Sequence, residues 1–404
     1  MDFSKVWSAS QGQGVTVAVV DTGVDGDSPD LTGQVLQGKD VTGGGDAQDD
    51  TAGHGTGMAS VIAGHGHGAN NSSGVMGLAP QARILPIKIS DTKDWSQVEW
   101  AKGIRHAVDL GADVINLSFV DSQGYPGSEG AKAIEYAQRH DVVVVAGTGN
   151  EGAAGLEYPA KLPGVVAVGA VDESLDIWDN SNFGPGVTLT APGVSIVRAA
   201  PNRSTGYAEA DGTSDATAYV SATAALVRAK YPELTAGQVI NRLIKSATLL
   251  DRDVKKVPDD EFGYGIVRPY AALTMDIPKG PKQGPLAQAS PPTGSGAASG
   301  DHDSTSRAAK KKSSAGSILL IGGLAATVVV IGIVVAIVRS RRNAGGGPGS
   351  GGGTPPHGTG VPPQTSTGYQ QYPHAAPNPG HPAFPAQSPQ NPNPYAQQPL
   401  YQGQ

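Results

Sequence analysis

Residues 15–20, Val-Thr-Val-Ala-Val-Val, form a short apolar run that stops at Asp21. A run of that length, rich in β-branched residues, is the pattern of a strand buried on both faces of a parallel sheet. Similar runs recur at residues 83–89, 114–117, 142–146 and 165–171. Helical periodicity lies between several of them. Residues 95–110 place Val98, Ile104, Ala107, Val108 and Leu110 largely on one side, and residues 129–139 precede the run at 142. Strands alternating with helices imply an α/β fold, a doubly wound and mostly parallel sheet with helices on both faces. In such sheets functional groups gather at the carboxyl ends of the strands. Two helices close the domain. One, from Ser214 to Lys230, is Ala-rich and stops at Tyr231-Pro232; the next starts near Thr235, a suitable N-cap, and carries Val239, Ile240, Leu243 and Ile244 at helical spacing.

Composition divides the 404 residues. Residues 1–277 mix apolar runs, charges and turn residues as a globular domain does. Residues 278–316 are a Pro/Gly/Ser linker too poor in apolar side chains to fold. Residues 317–338 carry no charge, and about 22 residues at ~1.5 Å each reach ~33 Å, enough to span a bilayer core. That stretch is read as a transmembrane helix. Residues 339–404, uncharged beyond Arg342, read as a disordered Pro/Gln/Gly-rich tail. Arg307 and Lys310–Lys312 before the apolar stretch nearly balance Arg339, Arg341 and Arg342 after it, so charge does not set the topology. The net charge of −7, with no Lys/Arg block in the folded part, argues against nucleic acid as a partner. The absence of cysteine excludes disulfides and thiolate-bound metals.

Three short motifs occur in order: Asp21-Thr22-Gly23, His54-Gly55-Thr56-Gly57 and Gly212-Thr213-Ser214. Each alone is a weak signal, as readily a turn or a helix cap. Their placement gives them weight, because Asp21 ends a buried strand while His54 and Ser214 each open a helix. A serine hydroxyl attacks a carbonyl only when an imidazole takes its proton, and a buried carboxylate must orient that imidazole and offset its charge. The oxyanion formed needs preplaced donors. Ser214 at a helix N-terminus offers its N–H, and Asn150, in the Gly147-Thr148-Gly149-Asn150 loop after a strand, is the best side-chain donor.

Asp, His and Ser in that order, with Asn between His and Ser, resemble the subtilisin-like serine proteases, or subtilases. Residues 17–25 resemble that family's aspartate motif, residues 53–59 its histidine motif and residues 212–214 its serine motif; Ala191-Pro192-Gly193 resembles the turn before the last. The resemblance covers roughly residues 5–275. It implies Asp21, His54 and Ser214 as a catalytic triad, Asn150 in the oxyanion hole, and substrate pairing as an added strand along Ser118, Phe119 and Val120, with Gly147 and Gly149 beside it. With the apolar stretch added, the architecture is most similar to the mycosins, subtilases associated with type VII secretion. The partners so implied are a protein or peptide substrate, a membrane and secretion-system components, with the peptidase domain outside the cell membrane and the tail in the cytoplasm. Export needs a signal, and Met1-Asp2-Phe3-Ser4-Lys5 lacks the basic-then-apolar pattern of one. Either that start is internal to a longer precursor, or the domain is not exported by that route.

Asp215-Ala216-Thr217-Ala218 departs from the family, which has an apolar residue and then Ala-x-Pro; Ser118-Phe119-Val120 stands where Ser-Leu-Gly is usual. These departures sustain an alternative, a catalytically weak subtilase with a structural role in a secretion complex. No cofactor or metal is required by the chemistry. Asp46, Asp49 and Asp50 are candidates for a calcium ion, with a solvated acidic loop the commoner reading. His65-Gly66-His67 lacks a third ligand nearby and reads as loop histidines.

Overall fold

The computed structural model describes residues 2–92, 94–250 and 252–287. In β1 (Thr16–Asp21) every residue after the first is buried, and alternate side chains enter different cores. Val17 and Val19 join one apolar cluster, Ala18 and Val20 the other. Further strands are β2 (Lys39–Asp40), β3 (His65–His67), β4 (Ser73–Met76), β5 (Arg83–Lys88), β6 (Val114–Leu117), β7 (Val143–Gly147), β8 (Val166–Val171), β9 (Leu189–Pro192), β10 (Ile196–Ala199) and β11 (Tyr207–Ala210). Seven of them make one sheet in the order β2-β5-β1-β6-β7-β8-β9, with every neighbouring pair parallel. β3–β4 and β10–β11 are separate antiparallel ribbons. The chain leaves β1 for the β2–β5 side and returns to β6 on the other, so the switch in strand order lies beside β1. A crevice outside the carboxyl ends is expected there.

The helices are α1 (Phe3–Ala9), α2 (His54–Ala63), α3 (Gln97–Asp109), α4 (Glu129–Arg139), α5 (Thr213–Lys230), α6 (Ala236–Ser246) and α7 (Pro269–Thr274). α2, α5 and α6 cover the Val17 face, and α3 and α4 cover the opposite one. The doubly wound parallel reading therefore holds. α5 is buried along nearly its whole length, which its Ala, Ser and Thr side chains allow, because small residues let a helix approach a sheet closely. α6 starts at the Thr235 N-cap, whose hydroxyl accepts from the Gln238 N–H while the Gln238 side chain accepts from the Thr235 N–H.

In α3 the buried stripe is Trp100, Ala101, Gly103, Ile104 and Ala107, whereas Val98 and Leu110 are 53% and 51% exposed. The face expected from apolar spacing is thus rotated toward Trp100, whose indole N–H donates to Asp121 at 3.1 Å. One large ring with a buried hydrogen bond outweighs two aliphatic side chains.

The chain continues along α6 past residue 277. Asn241 donates to the Pro278 carbonyl at 3.1 Å, Gln238 to that of Gly280 at 3.0 Å and Thr235 to that of Lys282 at 2.7 Å. Among the described residues no helix is long and apolar enough to cross a membrane. The apolar stretch 317–338, the tail and all of the linker after residue 287 lie outside them.

Candidate active site

Asp21 ends β1 with no exposed surface. Its carboxylate accepts the Thr22 N–H at 2.8 Å and faces His54 Nδ1 at 2.8 and 3.0 Å. His54 is the first residue of α2 and 7% exposed. Its approach depends on Gly55, where a β-carbon would collide with the Gly23 carbonyl oxygen. Asp50 fixes the loop before α2. Its two carboxylate oxygens accept from the Thr22 hydroxyl, the Gly53 N–H, and the Thr56 N–H and hydroxyl, at 2.6–2.8 Å. The aspartate strand and the histidine helix are therefore joined twice, through Asp21–His54 and through Asp50.

Ser214 lies in the first turn of α5, where backbone N–H groups lack partners within the helix. Its hydroxyl donates to the Ser118 carbonyl at 3.2 Å, and the Ser118 hydroxyl donates to the Ser214 carbonyl at 3.0 Å. A buried relay stands behind: Ser221 donates to Asn116 Oδ1, and Asn116 Nδ2 donates to Ser118 Oγ, both at 2.9 Å. β6 and α5 are thus pinned together beside the serine.

Asn150 follows β7. Its Oδ1 accepts the Thr213 N–H at 2.9 Å and the Thr213 hydroxyl at 2.8 Å. With the oxygen so held, the two N–H bonds of Nδ2 are left to donate elsewhere. The loop is braced by Asn182, which accepts from the Glu151 and Ala153 N–H groups and donates to Glu151 Oε2.

His54, Ser118, Phe119, Val120, Gly147, Asn150, Thr213 and Ser214 line one cavity of about 160 Å³, and Trp95 completes its wall. Asp21 stands behind His54, and Gly149 sits in the loop with its N–H toward Thr213 Oγ1 at 3.4 Å. The Phe119 ring is buried against Trp95 and Trp100, at 5.2 and 5.9 Å between centroids, while Val120 is half-buried. A hydroxyl, an imidazole with a carboxylate at its far nitrogen, and two kinds of N–H donor share one cleft.

A model of the subtilase family matches residues 12–265. The chain belongs to the subtilase family. Its relatives include thermitase of Thermoactinomyces vulgaris, 36% identical over 226 residues, which are 55% of this chain and 78% of that protein. Subtilisin Savinase of Lederbergia lenta is 36% identical over 262 residues, 65% of this chain and 91% of the other, whereas the same share of this chain spans 65% of alkaline elastase YaB of a Bacillus species. Two solved structures bear on the fold. MycP1 of Mycobacterium smegmatis is similar with a TM-score of 0.60 and 28% identity over 72% of this chain and 87% of that one. MycP3 protease from the type VII (ESX-3) secretion system gives 0.58 and 33%, over 68% and 86%. Such relatives make the chain a serine endopeptidase.

Several residues of this subtilase site are not legible from its motifs. Asp50 and Asn182 act through partners distant in sequence, and Thr213 aims Asn150 only because α5 begins beside β7. Asp215 turns away from the cleft, and both its oxygens accept from Arg198 at 3.1 Å. Burial raises its carboxyl from the usual 3.8 to about 6, against the opposing charge of Arg198 and then of His54. The neighbouring Tyr219 hydroxyl is pushed up to about 12, first by burial and then by Asp215.

Among the described residues no group of three or more His, Asp or Glu side chains is arranged to hold a metal ion. Asp46 and Asp49 are exposed, but Asp50 is not part of a solvated loop. Its contacts with Thr22, Gly53 and Thr56 take the carboxylate inward. His67 Nδ1 pairs with buried Asp30 at 2.6 Å, and His65 Nε2 donates to the Thr32 carbonyl at 3.0 Å.

Proposed function

We propose that this subtilase hydrolyses peptide bonds through an acyl-enzyme, with Ser214 as nucleophile, His54 as general base and then acid, and Asp21 as the orienting carboxylate. The observation that carries this reading is the Asp21 carboxylate facing His54 Nδ1 at 2.8 Å while the imidazole and the Ser214 hydroxyl line the same cleft. A proton held on Nδ1 by Asp21 leaves Nε2 with its lone pair free. This step requires the Ser214 side chain to rotate away from the Ser118 carbonyl so that its hydroxyl meets that nitrogen. Attack on a substrate carbonyl then forms the acyl bond as the proton passes to His54. The protonated imidazole gives the proton to the amine as the C–N bond breaks; water then attacks the acyl carbon, gives a proton to His54, and His54 returns it to Ser214 Oγ as the ester bond breaks. Asn150 Nδ2 and the Ser214 N–H receive the oxyanion. The edge at Ser118, Phe119 and Val120 takes the substrate backbone as an added strand, beside Gly147 and Gly149.

The chain is further read as tethered to the membrane through residues 317–338, with the peptidase domain outside and the tail in the cytoplasm. Service to a secretion system is supported by the likeness to the MycP1 and MycP3 proteases. Ser214→Ala tests the chemistry. Hydrolysis of a peptide library should fall by ~10⁴-fold or more while the melting temperature stays within a few degrees. Retained hydrolysis in that variant contradicts the assignment.

A further inference from the structure

Arg198 and Asp215 lie outside the cleft but between the two helices that carry its reacting side chains. The Arg198 stem crosses α2 at Gly57, where a β-carbon would stand 2.8 Å from Cδ and 3.2 Å from Nε. The following residue, Ala199, donates its N–H to Ser60 Oγ of the same helix at 3.0 Å. From there the guanidinium reaches α5 and donates to both oxygens of Asp215, the residue directly after Ser214. One side chain therefore bridges the helix that begins at His54 and the turn that holds Ser214.

Stability is a poor reason for such a pair. Asp215 has no exposed surface and Arg198 little, and an ion pair taken out of water commonly adds less than well-packed apolar residues of the same volume. The carboxyl remains raised to about 6 even with the guanidinium beside it. The charge is kept at a net cost, and the place where it is kept is the nucleophile turn.

We propose that Arg198 and Asp215 are positioning residues, a charged strut that fixes the Ser214 turn relative to the helix that begins at His54. The proposal rests on the triad reading above. The groups facing Asp215 are Arg198 from β10, His54 from α2, with Asp21 behind it, and Tyr219 from α5. Tyr219 stays neutral at working pH, so only Arg198 and a protonated His54 favour the carboxylate. As the pH falls through about 6, Asp215 takes up a proton and the strut loses its ion pair, while Arg198 keeps its charge. Activity then declines while the fold persists, because the Asp215 site itself favours the neutral acid and only the hold of Arg198 on the Ser214 turn is weakened.

The test compares the full chain with Asp215→Asn, Arg198→Met, their double variant and Ser214→Ala. Met keeps an unbranched stem across Gly57. The readouts are kcat and KM on one peptide, the rate of fluorophosphonate labelling, melting temperature, and kcat/KM from pH 4.5 to 9. Each single variant should lose ~10- to 100-fold in kcat per labelled site with KM within ~2-fold, the size of effect expected from misplacing a reacting group. The double variant should be no worse than the poorer single one. In Asp215→Asn the acid limb should move to lower pH and become shallower, since one ionisation is gone. A purely structural role changes the melting temperature and the labelled fraction but leaves the limb in place. An unmoved limb, or wild-type kcat per labelled site in Asp215→Asn, overturns the proposal. Should Asp215→Asn fail to fold, wild-type kcat per labelled site in Arg198→Met does the same. Ser214→Ala that still hydrolyses peptide overturns the triad reading instead, so the two failures are distinguishable.

Discussion

Asp215 carries a charge that the fold would rather not hold, and the consequence can be read from a titration. Its carboxyl ionises at about 6 in the native state against an ordinary 3.8. A carboxyl raised in this way contributes stability that is fully present below about 3.8 and is lost as the pH rises through about 6. The loss is about 3 kcal/mol, the free-energy equivalent of a shift of that size. Denaturant melts of the wild type and Asp215→Asn at several pH values should therefore converge or cross between pH 4 and 7, with the wild type losing ground as pH rises. A constant difference across that range contradicts the assignment of the charge. At this scale the motifs single out Asp21, His54, Ser214 and Asn150, which the fold gathers around one cleft, because each sits at the end of a strand or the start of a helix. Asp50, Asn116, Asn182 and Arg198 were not legible. Their roles depend on partners distant along the chain, 105 residues for Asn116 and Ser221, and spacing along a chain holds no record of such meetings.

Buried strands announce themselves through short β-branched runs, and β1, β5, β6, β7 and β8 follow the sequence to within a residue or so at each end. The two-residue β2 and the mixed Leu-Thr-Ala-Pro of β9 carry no such run. Apolar spacing locates α3 but not its face, because it does not weigh Trp100 above Val98. The end of the domain is the clearest case of a missing signal. Residues 278–282 look like linker because their own side chains do little; their backbone carbonyls accept hydrogen bonds from Asn241, Gln238 and Thr235 on α6. Each such bond contributes roughly 1 kcal/mol. A soluble form ending at residue 277 should accordingly melt several degrees below one ending at residue 287. Equal melting temperatures would show that the strap along α6 adds nothing.

At the scale of the whole molecule, the proposed tether is the charge-free stretch at 317–338, and it can be tested by fractionation. Deleting residues 317–338 should move activity from the membrane pellet to the soluble fraction with kcat/KM on a short peptide unchanged within ~2-fold, because the cleft is built wholly from residues 21–221. Activity that stays with the pellet removes the tether from the picture. The central claim is that three side chains distant in sequence share one proton path. Mass-spectrometric mapping of the adduct left by a fluorophosphonate tests it most directly, with the wild type set beside His54→Ala. The expected result is a single adduct on Ser214, formed ~10³-fold or more slowly once the imidazole is removed. An adduct on another residue, or Ser214 labelled at the same rate without the imidazole, would contradict it.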